Sequence, residues 1–383
     1  VGCARCHDHK YDPIPQRDYY RLTASFGRTI SRDIQIGGKK VYAAVDAGGD
    51  KLPGRFPLRS DVYFLTRGNV AAKQDVITQS FPQVLMRGGY REDRWQSDGS
   101  DKPLAPRAAV ADWITDVENG AGHLLARVIV NRLWQRHLGA GLVATPSDFG
   151  TRGQPSTHPE LLDWLAGELI RNGWRLKPIH RLIMTSSVYM QSQAEHPGNR
   201  RIDPANRFLW RRSLQRLEAE TIRDAMLTVA GQLDTTLFGR GTLDENSARR
   251  SIYFTIKRSK LIEMLQIFDA PEGIQSIGQR QATTVPPQSL LLLNNPRIRN
   301  WAVALRKRIE GTGKKDLDSA IREAYLIALS REPTDEQRAR MRSFINEQSA
   351  DYQSQHSEEE ARSLAMDDFC HSLLCMNEFI YIE

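Results

Sequence analysis

The sequence predicts a mainly α protein, a multi-helical domain preceded by a short irregular, β-containing segment. Three observations carry this. Beyond residue 106, apolar residues recur at i, i+3, i+4 and i+7 through most of the chain. Before it, short alternating runs such as VYAAV (41–45) and VYFL (62–65) read as strands. Glycine and proline punctuate 48–57 and 97–106, where loops are expected. The organisation that follows is a motif-bearing segment at 1–30, a β-containing connection at 31–105 and a helical domain at 106–383.

The elements can be justified in order. Residues 18–26, DYYRLTASF, have helical spacing. So do 107–119 and 123–139, the second closed by Gly139 as a residue able to leave the helix left-handed. In 157–173, THPELLDWLAGELIRNG, Thr157 and Glu160 have capping-box spacing, Pro159 suits a first turn and Gly173 suits an end. Further helices are expected at 177–192, 214–233, 258–268, 286–295, 317–329, 334–348 and 358–382. Within 214–233, Arg216, Glu220, Arg223 and Asp224 fall on one helical face and predict an ion-pair seam against a neighbouring segment.

Composition narrows the function classes. The 383 residues are 40% hydrophobic and 26% charged, as in an ordinary globular protein, and no run of about 18 apolar residues offers a membrane span. The formal net charge of +7 does not predict nucleic-acid binding, because the arginines lie among carboxylates, as in RRSLQRLEAETIRDAM, and no basic run is interleaved with aromatics. No catalytic motif is recognised: G-x-S-x-G, H-E-x-x-H and a Gly-rich phosphate loop do not occur. Asp148, His158 and Glu160 could be gathered for acid-base work, but turn and helix-start roles explain them more simply. Of Trp113, Trp134, Trp164, Trp174 and Trp210, helical spacing makes most core anchors. The chain starts at Val1 with no leader pattern and reads as a piece of a longer protein whose targeting signal lies upstream.

The chemistry concentrates in GCARCHDHKYDPI, residues 2–14. With four cysteines and nine histidines in the chain, C-x-x-C-H arises by chance in roughly one such sequence in a thousand. In a c-type haem site the two thiols bond the macrocycle and the adjacent histidine ligates iron, which assigns Cys3 and Cys6 to attachment and His7 to the metal. Zinc is one alternative, with Cys3, Cys6 and His9 as ligands and a second pair available only from Cys370 and Cys375; a metal-free structural or redox dithiol is another. Those two lie with His371 in an apolar helix, where buried thiols are the simpler expectation. Met86 is a candidate sixth iron ligand, outweighed by its place in the apolar run FPQVLM.

These stretches carry a resemblance. CARCHDHKYDPIPQRDYYRLTASF is similar to the end of the planctomycete cytochrome-associated domain. HLLARVIVNRLWQRHLGAGLVATPSDFGTRG, STHPELLDWLAGELIRNGWRLKPIHRLIMTSSVYMQS, DPANRFLWRR, RLEAETIRDAML, TTVPPQSLLLLNNP and the tail NEFIY resemble the planctomycete PSD domain that follows it. Both are domains of unknown function. The resemblance implies an extracytoplasmic (periplasmic or secreted) protein that works beside proteins of polysaccharide breakdown. With the C-x-x-C-H motif, haem c and electron transfer with a redox partner protein are expected. A carbohydrate-associated enzyme or binding protein with a structural metal is the alternative.

Overall fold

The computed structural model describes all residues except 1, 28, 37, 47–60, 90–91, 98–104, 258, 274–275, 312, 314–315 and 383. The Gly- and Pro-rich stretch 48–57 and most of 97–106 lie outside the described residues. By contact the chain divides into two compact units, Val1–Tyr189 and Met190–Glu383. Both are dominated by helices, and among the described residues the strands form three two-stranded antiparallel pairs. Among the described residues no helix is long and apolar enough to cross a membrane.

The first unit opens with a 3-10 turn at Gly2–Arg5 and helix α1 (Gln16–Ala24). Hairpin β1 (Thr29–Ile36) and β2 (Lys39–Asp46) follows, then hairpin β3 (Val62–Leu65) and β4 (Lys73–Ile77). Helices α2 (Asp93–Gln96), α3 (Pro106–Thr115), α4 (Gly122–Leu138), α5 (Pro159–Arg171) and α6 (Leu176–Met184) complete it. Their apolar faces pack against one another and against the segment 81–86. Phe81 stacks on Trp113 at 5.0 Å and meets Trp95 edge-on at 5.5 Å, with Met86 buried in the same cluster. Met86 is thus a packing residue. Ala126, Val130 and Trp134 of α4 are buried, as are Leu162, Leu165 and Leu169 of α5 and Ile179 and Ile183 of α6, and these three helices pack together. Gly139, at φ 86, ends α4 as expected.

Two local expectations are corrected here. Helix α5 takes His158 as its N-cap, without a side-chain cap bond. Pro159 is then the first helical residue and Glu160 the second, one place short of the capping-box position. The Thr157 hydroxyl is instead shared between the His158 ring at 2.9 Å and the Leu142 carbonyl at 3.4 Å. Trp164 is 48% exposed and anchors no core, whereas Trp113 and Trp134 are buried.

Asp18, on the first turn of α1, is fully buried. Its Oδ2 accepts from the Gln83 backbone N–H at 2.9 Å, while Oδ1 has no hydrogen-bond partner among the described residues and Arg21 stays 3.9 Å away. Burial raises its pKa above the ordinary carboxylate value. A raised acid is favoured by folding in its protonated form, so its ionisation removes stability as pH rises from the ordinary Asp value through the folded one. Asp18→Asn keeps an acceptor for Gln83 and removes the charge. Denaturant unfolding at pH 7 should show a gain of about 1 kcal/mol that vanishes well below pH 4. A loss of stability at pH 7 would mean that Arg21 compensates the buried charge.

The second unit contains α7 (Pro197–Ile202), β5 (Gln215–Arg216), α8 (Ala219–Val229), α9 (Glu263–Ile267), α10 (Pro286–Asn294), α11 (Pro296–Glu310), α12 (Leu317–Leu329), α13 (Asp335–Tyr352), α14 (Glu358–Cys375), α15 (Asn377–Ile380) and β6 (Tyr381–Ile382). Helix α14 is its spine. Ala361, Ala365, Phe369, Cys370, Leu373 and Leu374 are buried against neighbours that include α11 and α13. The chain leaves the helix at Met376 and returns as β6 to pair with β5. Capping boxes hold α13 (Thr334 with Gln337) and α14 (Ser357 with Glu360). Helix α11 has no counterpart among the sequence expectations, although Ile298, Trp301, Ala302, Leu305 and Ile309 form its buried stripe.

The seam expected of Arg216, Glu220, Arg223 and Asp224 takes a different form. Arg216 lies on β5, outside the helix, because it pairs across to Tyr381. It bridges to Asp269 at 2.6 Å, Glu220 to Arg280 at 2.7 Å, and Arg223 and Asp224 to the segment 247–251. The charges pair with neighbouring segments, as expected, but as separate ties.

Candidate functional site

The site is built on the first fourteen residues. Ala4 is fully buried and draws the Gly2–Arg5 turn onto the body, which leaves Cys3, Cys6 and His7 exposed. The Arg5 carbonyl is the fixing point, accepting from the Gln16 side-chain amide at 2.9 Å and the Tyr20 hydroxyl at 2.8 Å. The same Gln16 amide donates to the Leu65 carbonyl at 3.0 Å, so α1 ties the motif to the β3–β4 hairpin. Asp8 accepts from the Gln16 backbone N–H at 2.7 Å, placing a carboxylate at the helix start where the dipole favours it.

Cys3 and Cys6 are free thiols. His7 Nδ1 lies 2.6 Å from the Asp8 carbonyl oxygen. A carbonyl can only accept, so Nδ1 is the donor in this contact, which leaves Nε2 as the nitrogen available to a metal. His9 differs. Its Nδ1 accepts from the Asp12 backbone N–H at 3.0 Å and lies 3.3 Å from the Asp12 carboxylate. Of the two histidines, His7 is the exposed one, and His9 is folded back into the loop. Among the described residues no three or more His, Cys, Asp or Glu side chains stand as a preassembled metal cluster.

Two glycines make room for this arrangement. Gly68, in the turn of the β3–β4 hairpin at φ +71, faces Cys6, whose Sγ would lie 2.7 Å from a Cβ placed there. Gly150 lies against Asp12, whose carboxylate oxygens would come within 2.6 and 2.8 Å of a Cβ. The Thr151 backbone N–H donates to Asp12 at 2.8 Å and holds its carboxyl below the usual range, and Arg152 stacks over Tyr11 at 4.7 Å. The loop at 145–154 therefore clamps the segment HKYDP against the first unit. Gly68→Ala should displace Cys6, and thiol labelling of the folded protein should fall selectively at Cys6 or change in rate; identical labelling of both thiols would show that the turn does not position it.

The other candidates disperse. Asp148 accepts from the Gly150 N–H at 2.9 Å, and the His158 ring lies 2.9 Å from the Thr157 hydroxyl. Asp163 pairs with Arg127 at 2.6 Å, and His180 bonds His137 at 2.8 Å. Trp210 donates from its indole N–H to the Asp203 carbonyl at 2.8 Å. In the second unit Cys370 is buried, Cys375 lies 3.6 Å from the Leu292 carbonyl, and His371 bonds that same oxygen at 2.9 Å. Burial pushes the Cys370 thiol far up and the Cys375 thiol up to about 11, so both stay protonated packing groups. Sequence spacing marked Cys3, Cys6 and His7; it gave no sign of Gly68, Gly150 or Thr151, whose roles arise from contacts distant in sequence.

No curated protein and no solved structure matches the chain. Residues 1–31 match PSCyt2, Protein of unknown function (DUF1549), and residues 106–345 match PSD1, Protein of unknown function (DUF1553), in the order the motifs led us to expect. The second match covers more than half of the sequence, and the chain belongs to the PSD1 family.

Proposed function

We propose that this is an extracytoplasmic haem c protein that exchanges electrons with a redox partner, its haem held at the C-x-x-C-H motif. The supporting observation is the placing of His7: its Nδ1 is committed to the Asp8 carbonyl, which leaves Nε2 as the nitrogen for a metal, on an exposed residue next to two exposed free thiols. Cys3 and Cys6 would hold the group, each sulfur bonding one carbon of a vinyl substituent while the thiol hydrogen passes to the other carbon. His7 Nε2 would ligate the iron. When bound, the haem supplies one-electron chemistry; the chain's contribution is to fix Cys3 on the Gly2–Arg5 turn and Cys6 directly after it, and to orient the imidazole through its Nδ1 contact with the Asp8 carbonyl. The extracytoplasmic location and the company of polysaccharide-breakdown proteins follow the family resemblance.

Export of the full chain with a cytochrome c maturation system should give a coloured protein whose haem stain survives denaturing electrophoresis. Cys3→Ser with Cys6→Ser should abolish the stain, and His7→Ala should change the visible spectrum of whatever haem is retained. A colourless protein carrying about one zinc per chain overturns the proposal in favour of a structural metal on Cys3, Cys6 and His9, in a carbohydrate-associated protein.

A further inference from the structure

An apolar macrocycle tethered to two exposed thiols needs a wall to lie against, and one is available beside the motif. A cleft of about 660 Å³ opens between α1 and the β3–β4 hairpin, within the size range of cofactor sites. Tyr19, Tyr20, Tyr63 and Leu65 line it. Its charged lining residues are Arg5, Lys73 and Asp61, two cations against one carboxylate. Arg5 lies between the two thiols in sequence, and the hairpin that supplies Leu65 also supplies Gly68, against which Cys6 Sγ rests. The tether and the cleft thus share one residue and one hairpin.

We propose that this cleft receives the haem, with Arg5 and Lys73 serving the two carboxylate groups of the macrocycle; the proposal rests on the haem reading given above. The tyrosine rings offer the macrocycle aromatic and apolar contact, and a cationic pair on the lining matches a doubly anionic edge. A neutral sugar would meet the tyrosines equally well. It would make no use of two cations or of an attachment point at Cys6, and these favour the anionic, covalently held group. Lys73 also lies 4.9 Å from the Tyr63 ring centre, a position that keeps it over the cleft wall.

The test uses the haem-loaded full chain and reads its reduction potential. Arg5→Gln and Lys73→Gln should each retain covalent haem and lower the potential, because a removed cation no longer favours the less positive, reduced iron. The shifts should shrink at high salt, and Arg175→Gln, at an exposed residue outside the cleft lining, should leave the potential unchanged. Covalent haem with unchanged potentials in both cleft variants overturns the cleft proposal and leaves the haem assignment standing. Wild-type chain that takes no covalent haem overturns both. If Arg5→Gln blocks attachment because it lies inside the motif, Lys73→Gln, which leaves the motif intact, decides the matter in the same way.

Discussion

Arg223→Ala should destabilise the second unit by about 3–5 kcal/mol. Arg223 is 2% exposed on α8, where burial lowers the pKa of its guanidinium without bringing an arginine near neutrality. Nη1 donates to the Arg249 carbonyl at 3.0 Å and to the Ser251 hydroxyl at 3.1 Å, Nη2 donates to the Ser247 carbonyl, and the cation lies 4.7 Å from the Phe254 ring centre. The neighbouring Asp224 accepts from the Ser251 N–H at 2.8 Å and from its hydroxyl at 2.7 Å. Two consecutive helical residues therefore organise one long connection. Truncation strands buried acceptors and opens a cavity at once. Arg223→Lys should recover only part of the loss, since a single ammonium cannot span three acceptors with the fork geometry of a guanidinium. Chemical denaturation followed by a probe in residues 190–383 would measure both; a loss below about 1 kcal/mol for the alanine variant would mean that the connection is held elsewhere.

Asn131→Leu should cost the first unit about 2–5 kcal/mol. Asn131 is fully buried in α4. Its Oδ1 accepts from the Val143 N–H at 2.8 Å and its Nδ2 donates to the Val143 carbonyl at 3.0 Å, so one side chain does for this backbone what a neighbouring strand would do. Gly141 stands so close that a Cβ would meet the Asn131 amide at 2.7 Å. Leucine is of similar size but leaves both Val143 groups buried without a partner. The consequence extends to the site, because the chain from Val143 runs directly into the loop that clamps Asp12. Hydrogen exchange should speed up at Val143 and at Thr151 together. Faster exchange at Val143 with full protection at Thr151 would show that the clamp does not depend on Asn131.

How far the sequence is legible depends on how local the deciding contact is. Helix α12 spans the residues its periodicity predicts, α5 lies within its expected span and α4 is displaced from its own by one residue, because punctuation and apolar spacing agree there. Helix α11 was equally readable in principle. Asn295 caps it through the Arg297 N–H and Pro296 opens it, but its abundance of arginine hides an apolar stripe that occupies only one face. Arg216 defeats local reading altogether: it belongs to a good helical pattern, yet pairing with the distant chain end makes it a strand. The same division applies to the site. Cys3, Cys6 and His7 show in the spacing. The placement of Cys6 against Gly68, of Asp12 against Gly150 and Thr151, and of Arg5 in the lining of a tyrosine-rich cleft are products of folding between segments far apart.

The central claim is that Cys3 and Cys6 carry a covalent haem, and the intact mass of the full chain exported with a cytochrome c maturation system tests it most directly. The expected result is a mass increased by one haem, with fragmentation placing the whole increment on the peptide that contains Cys3, Cys6 and His7. An unmodified mass, with both N-terminal thiols still open to alkylation, would contradict it.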